Sequence, residues 1–279
     1  MTASPTFRIA GVMGWPVGHS RSPRLHGHWL ARYGIQGAYI PMPVRPETLG
    51  DALRALPILG FAGCNLTVPL KEIALGYLDE VDDEARRIGS VNTVIVRTDG
   101  SLYGRTSDGF GFIENLKDRV PEWQPSAGPV TLFGAGGSAR SIAAALTAAG
   151  ETEIRIVNRT LDRAEALARD LGAGLVPYAW DDRQTAIQGA HLLVNTTTQG
   201  MVGHSPLDIV LRDLQPDAIV ADIVYTPLET PLLLAARLAG YRPADGLGML
   251  LHQARPGFEA WFGVAPEVDE RLRQAVLAP

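Results

Sequence analysis

Two α/β domains in succession are predicted for this 279-residue chain, and three observations predict them. From Phe7 to about Leu116, strand-like runs alternate with segments of helical spacing, the pattern of crossover connections. The stretch "VPEWQPSAGP" (120–129) then gathers Pro, Ser and Gly into a junction. The alternation restarts at "VTLFGAGGSARSIAAALTAAG", and the chain exceeds the roughly 100 to 200 residues of a single-core domain.

Taken in order, "FRIAGVM", "GAYIPMPV" and "FAGCNLTV" read as strands, and "SPRLHGHWLARYG", "PETLGDALRAL" and "KEIALGYL" as helices between and after them. "VNTVIVRTDGSLYGR" places two extended runs around Asp99-Gly100, a hairpin signal. Beyond the junction, "EIRIVNR", "HLLVNTTT" and "DAIVADIV" continue as strands. "MLLHQARPGFEAWFG" and "PEVDERLRQAVLA" close the chain as helices.

Composition sets several function classes aside. Hydrophobic residues make up 46% and charged residues 20%, as in a globular protein and unlike a disordered one. A formal net charge of -5 gives no footprint for a phosphate backbone, so no nucleic-acid partner is expected. Apolar runs fall short of the ~20 residues that span a bilayer, and "MTASPTFRIAG" lacks a basic and apolar leader, so the expectation is a soluble cytoplasmic protein with no membrane partner. Cys64 is the single cysteine, which excludes an internal disulfide and a cysteine-based zinc cluster. Redox chemistry would therefore need a cofactor.

"VTLFGAGGSA" supplies a place for one. A short apolar strand runs into Gly134-x-Gly136-x-x-Ala139 and then an Ala-rich helix. Gly134 permits the tight turn, Gly136 lets the backbone approach a pyrophosphate, and Ala139 lets helix and sheet pack closely. Ala135, Gly137 and Ser138 complete the turn, whose helix N-terminus offers free N–H groups to phosphate. The alternative is a plain strand-to-helix turn. The next strand ends in Asn158, Arg159 and Thr160, where an NAD site would carry a carboxylate for the ribose 2′-hydroxyl. A guanidinium with neutral hydrogen-bonding neighbours suits a 2′-phosphate, so NADP is expected, unless Arg159 merely caps a surface turn.

Of 25 basic residues only Lys71 and Lys117 are lysines. Lys71 follows "NLTVP" in the first turn of an expected helix, where its charge opposes the macrodipole. A lysine kept there, in a chain that otherwise uses arginine, points to proton transfer, because arginine does not release its proton. Lys117 lies in polar "ENLKDRV" and reads as a solvated charge. Asp108, between the hairpin and the helix "GFGFIENL", is the candidate partner that would orient the ammonium and favour its charge; an N-cap is its alternative role. His26 and His28 lie two apart on different sides of a helix without further ligands at metal spacing, so no metal is expected.

The segments "GHSRSPRLH", "NLTVPLK", "GSVNTV", "SDGFGF", "GAGGSAR", "VNRT", "NTTTQGM", "DIVYTPLETPLL" and "DGLGMLLHQA" occur together and in order. In this the sequence resembles the shikimate dehydrogenase family, over nearly its whole length. The resemblance implies a substrate-binding domain, 1–116 completed by 247–279, and a Rossmann-like NADP-binding domain, 117–246, with an active-site cleft between them. It implies that Ser20 and Ser22 bind a substrate carboxylate, that Asn65, Thr67, Asn92 and Gln253 bind ring hydroxyls, and that Lys71 and Asp108 are the catalytic pair. Tyr225 and Gly246 would line the substrate side, while Thr196, Met201 and Met249, with Gly246, would contribute to the cofactor site. Where the family reads Asn-Thr-Asp this chain has Thr106-Ser107-Asp108, and Ser107 keeps the hydroxyl expected at the substrate. The implied activity is reversible NADP-linked reduction of 3-dehydroshikimate to shikimate, in aromatic amino acid biosynthesis, by a monomer or homodimer. A quinate or related hydroxy-acid dehydrogenase and a non-catalytic NADP-binding sensor are the alternatives.

Overall fold

The computed structural model describes residues 7–278. They divide into two compact units, one running to Ser107 and resuming at Gln253, the other spanning Asp108–His252.

The first unit carries β1 (Arg8–Gly14), α1 (Ser22–Arg32), β2 (Gly37–Pro43), α2 (Leu49–Ile58), β3 (Phe61–Leu66), α3 (Leu70–Ile73), β4 (Glu80–Val81), α4 (Asp83–Ile88), β5 (Thr93–Val96) and β6 (Leu102–Arg105). Its sheet has the order β2-β1-β3-β5-β6-β4. β1 pairs in parallel with β2 and β3, whereas β5 pairs antiparallel with β3 and β6, the expected hairpin. One face is a core of Met13, Leu49, Leu53, Cys64, Leu66 and Val94 and their neighbours. On the other face Gly63, at φ +151°, lets the strand pass where a Cβ would strike Val94 O and Trp261 Nε1. That clearance leaves Trp261 Nε1 free to donate to Val94 O at 3.0 Å.

The second unit opens with α5 (Asp108–Arg119) and continues through β7 (Val130–Phe133), α6 (Gly137–Ala149), β8 (Ile154–Asn158), α7 (Leu161–Leu171), β9 (Leu175–Ala179), α8 (Arg183–Ala186), β10 (Leu192–Asn195), β11 (Ile219–Asp222), α9 (Pro231–Leu238) and β12 (Arg242–Ala244). Its strand order is β12-β11-β10-β7-β8-β9, with every pairing parallel. This is the doubly wound arrangement, whose order reverses between β7 and β10. Apolar clusters lie on both faces, as parallel sheets require. α10 (Gly246–Phe262) begins in this unit and from Gln253 belongs to the first, which α11 (Glu270–Leu277) completes. α11 packs on α1, and its N-cap Asp269 accepts from Leu272 N at 2.9 Å.

Two expectations need correction. The Pro-rich stretch 120–129 has the composition of a junction, yet Val120 and Trp123 are buried in the second unit's core, so it is not an open linker. α5 packs against α6, and by packing the units divide at 107/108 and 252/253, a few residues from the bounds 116/117 and 246/247 expected from sequence. "KEIALGYL" forms one α-turn, 70–73, followed by a 3-10 turn over 74–77, not a full helix. With both ends within one turn of Lys71, a macrodipole has little meaning there, and that part of the argument for Lys71 falls away.

Candidate functional site

In the first unit, the ends of β3, β5 and β6 carry polar side chains in one hydrogen-bonded run, and the first turn of α1 carries a bonded serine pair. Ser20 Oγ accepts from Ser22 N at 3.3 Å, just where Pro23 starts α1. Tyr39 Oη donates to Asn65 Oδ1 at 2.6 Å. Asn65 Nδ2 donates to Asn92 O at 3.0 Å and to Thr93 Oγ1 at 3.2 Å. Thr93 Oγ1 in turn donates to Asn92 Oδ1. Asn92 Nδ2 reaches Ser107 Oγ at 3.0 Å and Gln253 Oε1 at 3.2 Å, and Ser107 Oγ donates to Gln253 O at 2.8 Å. Ser22, Asn65, Asn92 and Ser107 are buried, whereas Ser20 and Gln253 are half-buried.

Thr67 and Lys71 stand beside this run. Thr67 N donates to Met13 O, fixing the turn that leaves β3. The half-buried Lys71 accepts from Val91 N through its carbonyl, which ties α3 to the residue before Asn92. Four of the expected residues, Asn65, Asn92, Ser107 and Gln253, thus belong to one network, and Ser20 and Ser22 form a separate bonded pair. Sequence reading missed Tyr39 and Thr93, because an aromatic and a threonine in strands are ordinary by composition and nothing in their spacing marks them.

Burial decides the ionisation of this region. The Tyr39 phenol is held well above its ordinary range, chiefly by desolvation, and the Cys64 thiol is likewise pushed up. His26, wholly buried, is lowered to about 3 by the same cause. It is uncharged at neutral pH, and neither ring nitrogen has a hydrogen-bond partner among the described residues. Among those residues no group of three or more His, Cys, Asp or Glu side chains is placed to hold a metal ion.

The second unit presents its glycine turn at the reversal between β7 and β10. Gly134 has φ +109°, and a Cβ there would strike Thr196 Oγ1. Thr196 itself bonds Phe133 O through both its backbone N and its hydroxyl, at 2.9 and 2.6 Å. Gly136 caps α6 with no side-chain bond, and no atom lies within 4 Å of where its Cβ would stand. Ala135 and Ala139 are buried beneath, with Gly137 and Ser138 half-buried in the first turn. Ser138 Oγ donates to Oδ2 of Asp108, a buried carboxylate in the first turn of α5.

At the end of β8, Asn158 Nδ2 donates to Thr160 O at 2.8 Å, and the exposed Arg159 makes no hydrogen bond or ion pair with the described residues. Open space at Gly136, a helix N-terminus whose N-cap makes no side-chain bond and an exposed guanidinium fit a dinucleotide with a 2′-phosphate.

The loop after β10, which carries Met201, is set by Asn195. Its Oδ1 accepts from Thr197 N and Oγ1, and its Nδ2 donates to Gln199 O and to Asp222 Oδ1. Asp222 also accepts from Val224 N and Thr230 Oγ1, yet burial outweighs these bonds and raises its carboxyl to about 7. Tyr225 is half-buried after β11, Gly246 begins α10, and Met249 is drawn into the second unit's core.

Comparison with known proteins agrees with this architecture. The shikimate dehydrogenase substrate binding domain matches residues 12–94, the shikimate/quinate 5-dehydrogenase domain 117–223, and the shikimate 5′-dehydrogenase C-terminal domain 246–277. The chain is 60% identical to the NADP(+) shikimate dehydrogenase of Rhodospirillum rubrum over 97% of each chain. Among solved structures it is similar to shikimate 5-dehydrogenase from Thermus thermophilus in complex with NADP(H) and shikimate, with TM-score 0.84, 37% identity and coverage of 96% of this chain and 98% of that one. It is also similar to quinate dehydrogenase from Corynebacterium glutamicum in complex with NAD, with TM-score 0.89, 31% identity and coverage of 98% and 99%. With this identity sustained from end to end, on a doubly wound cofactor unit and a mixed-sheet unit lined with hydroxyl and amide groups, the chain belongs to the shikimate dehydrogenase family.

Proposed function

We infer that this chain catalyses the reversible, NADP-linked reduction of 3-dehydroshikimate to shikimate, the step that its relatives' activity places in aromatic amino acid biosynthesis. The observation that carries this reading is the hydrogen-bonded run of Asn65, Asn92, Ser107 and Gln253, a set of neutral donors and acceptors suited to a small acid bearing several hydroxyls. In this reading Ser20 and Ser22 donate to the substrate carboxylate, and Asn65, Thr67, Asn92 and Gln253 bind its ring hydroxyls. Ser107 holds Asn92 and Gln253 in position. Tyr225 and Gly246 line the substrate side.

NADP bound at the Gly134–Ala139 turn supplies or accepts the hydride. Asn158, Arg159 and Thr160 hold its 2′-phosphate end, and Thr196, Met201 and Met249 contribute nearer the nicotinamide. As the ring carbonyl carbon gains the hydride, Lys71 Nζ gives a proton to the oxygen, so that one C–H and one O–H bond form and the ammonium becomes an amine. In the reverse direction Lys71 takes that proton back. Asp108 is its proposed carboxylate partner, favouring the charged ammonium between turnovers.

The direct test is to add shikimate and NADP to the native protein, follow NADPH absorbance and identify the acid produced. NADPH formation with 3-dehydroshikimate as product is expected. NADPH binding without turnover would replace the enzyme with a sensor.

A further inference from the structure

We propose that Tyr39 is a positioning residue of the substrate site, its hydroxyl setting the orientation of the Asn65 amide, across the site from Ser22. The inference rests on the reading of those two residues as substrate ligands. Tyr39 lies on β2, two strands from Asn65 on β3, and the β1 residue in register with it is Ala10, whose methyl leaves room for the ring to lie across β1. Its hydroxyl donates to Asn65 Oδ1 at 2.6 Å, so the phenol holds the amide of one group assigned to the substrate.

The ring itself is held fast. His26 stacks on it with centroids 3.8 Å apart and planes 6° from parallel, and Trp261 flanks it at 6.0 Å. His26, lacking hydrogen-bond partners among the described residues, contributes a flat neutral surface and no competing polar contact. The bond also fixes which way the Asn65 amide faces. Both Nδ2 hydrogens are committed, to Asn92 O and Thr93 Oγ1, so what Asn65 can offer a ligand is the second lone pair of Oδ1. A substrate hydroxyl at Asn65 is therefore read as a donor. Without Tyr39 Oη, the amide is free to turn and to present N–H groups instead.

Tyr39→Phe keeps the stacked ring and removes one oxygen. The expected result is a rise of about tenfold in KM for shikimate, the scale of one lost buried hydrogen bond, with KM for NADP unchanged within about twofold and kcat less affected than KM. In an Asn65→Ala background the same substitution should add no more than about twofold, because the oriented group is gone. A shikimate KM within twofold of native, equal rises in both KM values, effects that multiply fully in the double variant, or failure of Tyr39→Phe to fold would each overturn the proposal. If Ser22→Ala and Asn65→Ala leave the shikimate KM unchanged, the assignment of the ligands themselves is what has failed.

Discussion

Lys71 sits half-buried on a single turn of helix, and its chemistry separates it from the arginines around it. If the side chain only neutralised charge, arginine would serve; if it moves a proton, arginine cannot. Lys71→Ala is expected to lower kcat by about a thousandfold, within the range of general acid–base contributions, and Lys71→Arg should not restore it. Steady-state kinetics with shikimate and NADP decide the matter, since recovery by arginine to within about tenfold of native would reduce Lys71 to an electrostatic role.

His26 carries a separable stability effect. Its folded pKa of about 3 lies below the ordinary 6.5, so the unfolded chain binds its proton first as the pH falls. The stability it contributes is present above pH 6.5 and is lost as the pH drops through that window. Asp222 has the opposite sign, because its raised carboxyl favours the folded state below its ordinary 3.8 and loses that contribution as the pH rises through about 7. His26→Phe keeps a ring against Tyr39 and removes two unpaired nitrogens, so its Tm should fall less steeply than native as the pH is lowered from 6.5. Parallel Tm curves would show that His26 is not the source of the slope.

At the scale of elements, β7, the glycine turn and α6 were legible because each residue type has a local mechanical reason: Gly134 for its positive φ, Ala139 for close packing. The end of β8 was legible by charge, and it carries a prediction. Arg159→Ala should raise KM for NADP by about ten- to a hundredfold, the worth of a charge-assisted bond, and leave KM for NAD within about twofold. An equal rise for both cofactors, measured side by side, would place Arg159 away from the 2′-phosphate. The two-residue β4 and three-residue β12 were beyond sequence reading, because so few residues give no period to detect. The Tyr39–Asn65 link was also hidden, since register across β1 alone brings them together.

Over the whole molecule, two α/β units were legible in the alternation of strands and helices. "VPEWQPSAGP" has the composition of a linker, yet its Val120 and Trp123 bury themselves in the second core, and burial outweighs composition. Among the described residues, no helix is long and apolar enough to cross a membrane. The similarity to both a shikimate and a quinate dehydrogenase makes substrate choice the central question for this chain. The most direct test is kcat/KM for shikimate and for quinate, each with NADP and with NAD, on the native protein. Shikimate with NADP should exceed every other combination by at least about tenfold, a margin that a single oriented hydrogen bond can supply. Equal or better turnover of quinate, or of either acid with NAD, would contradict the account.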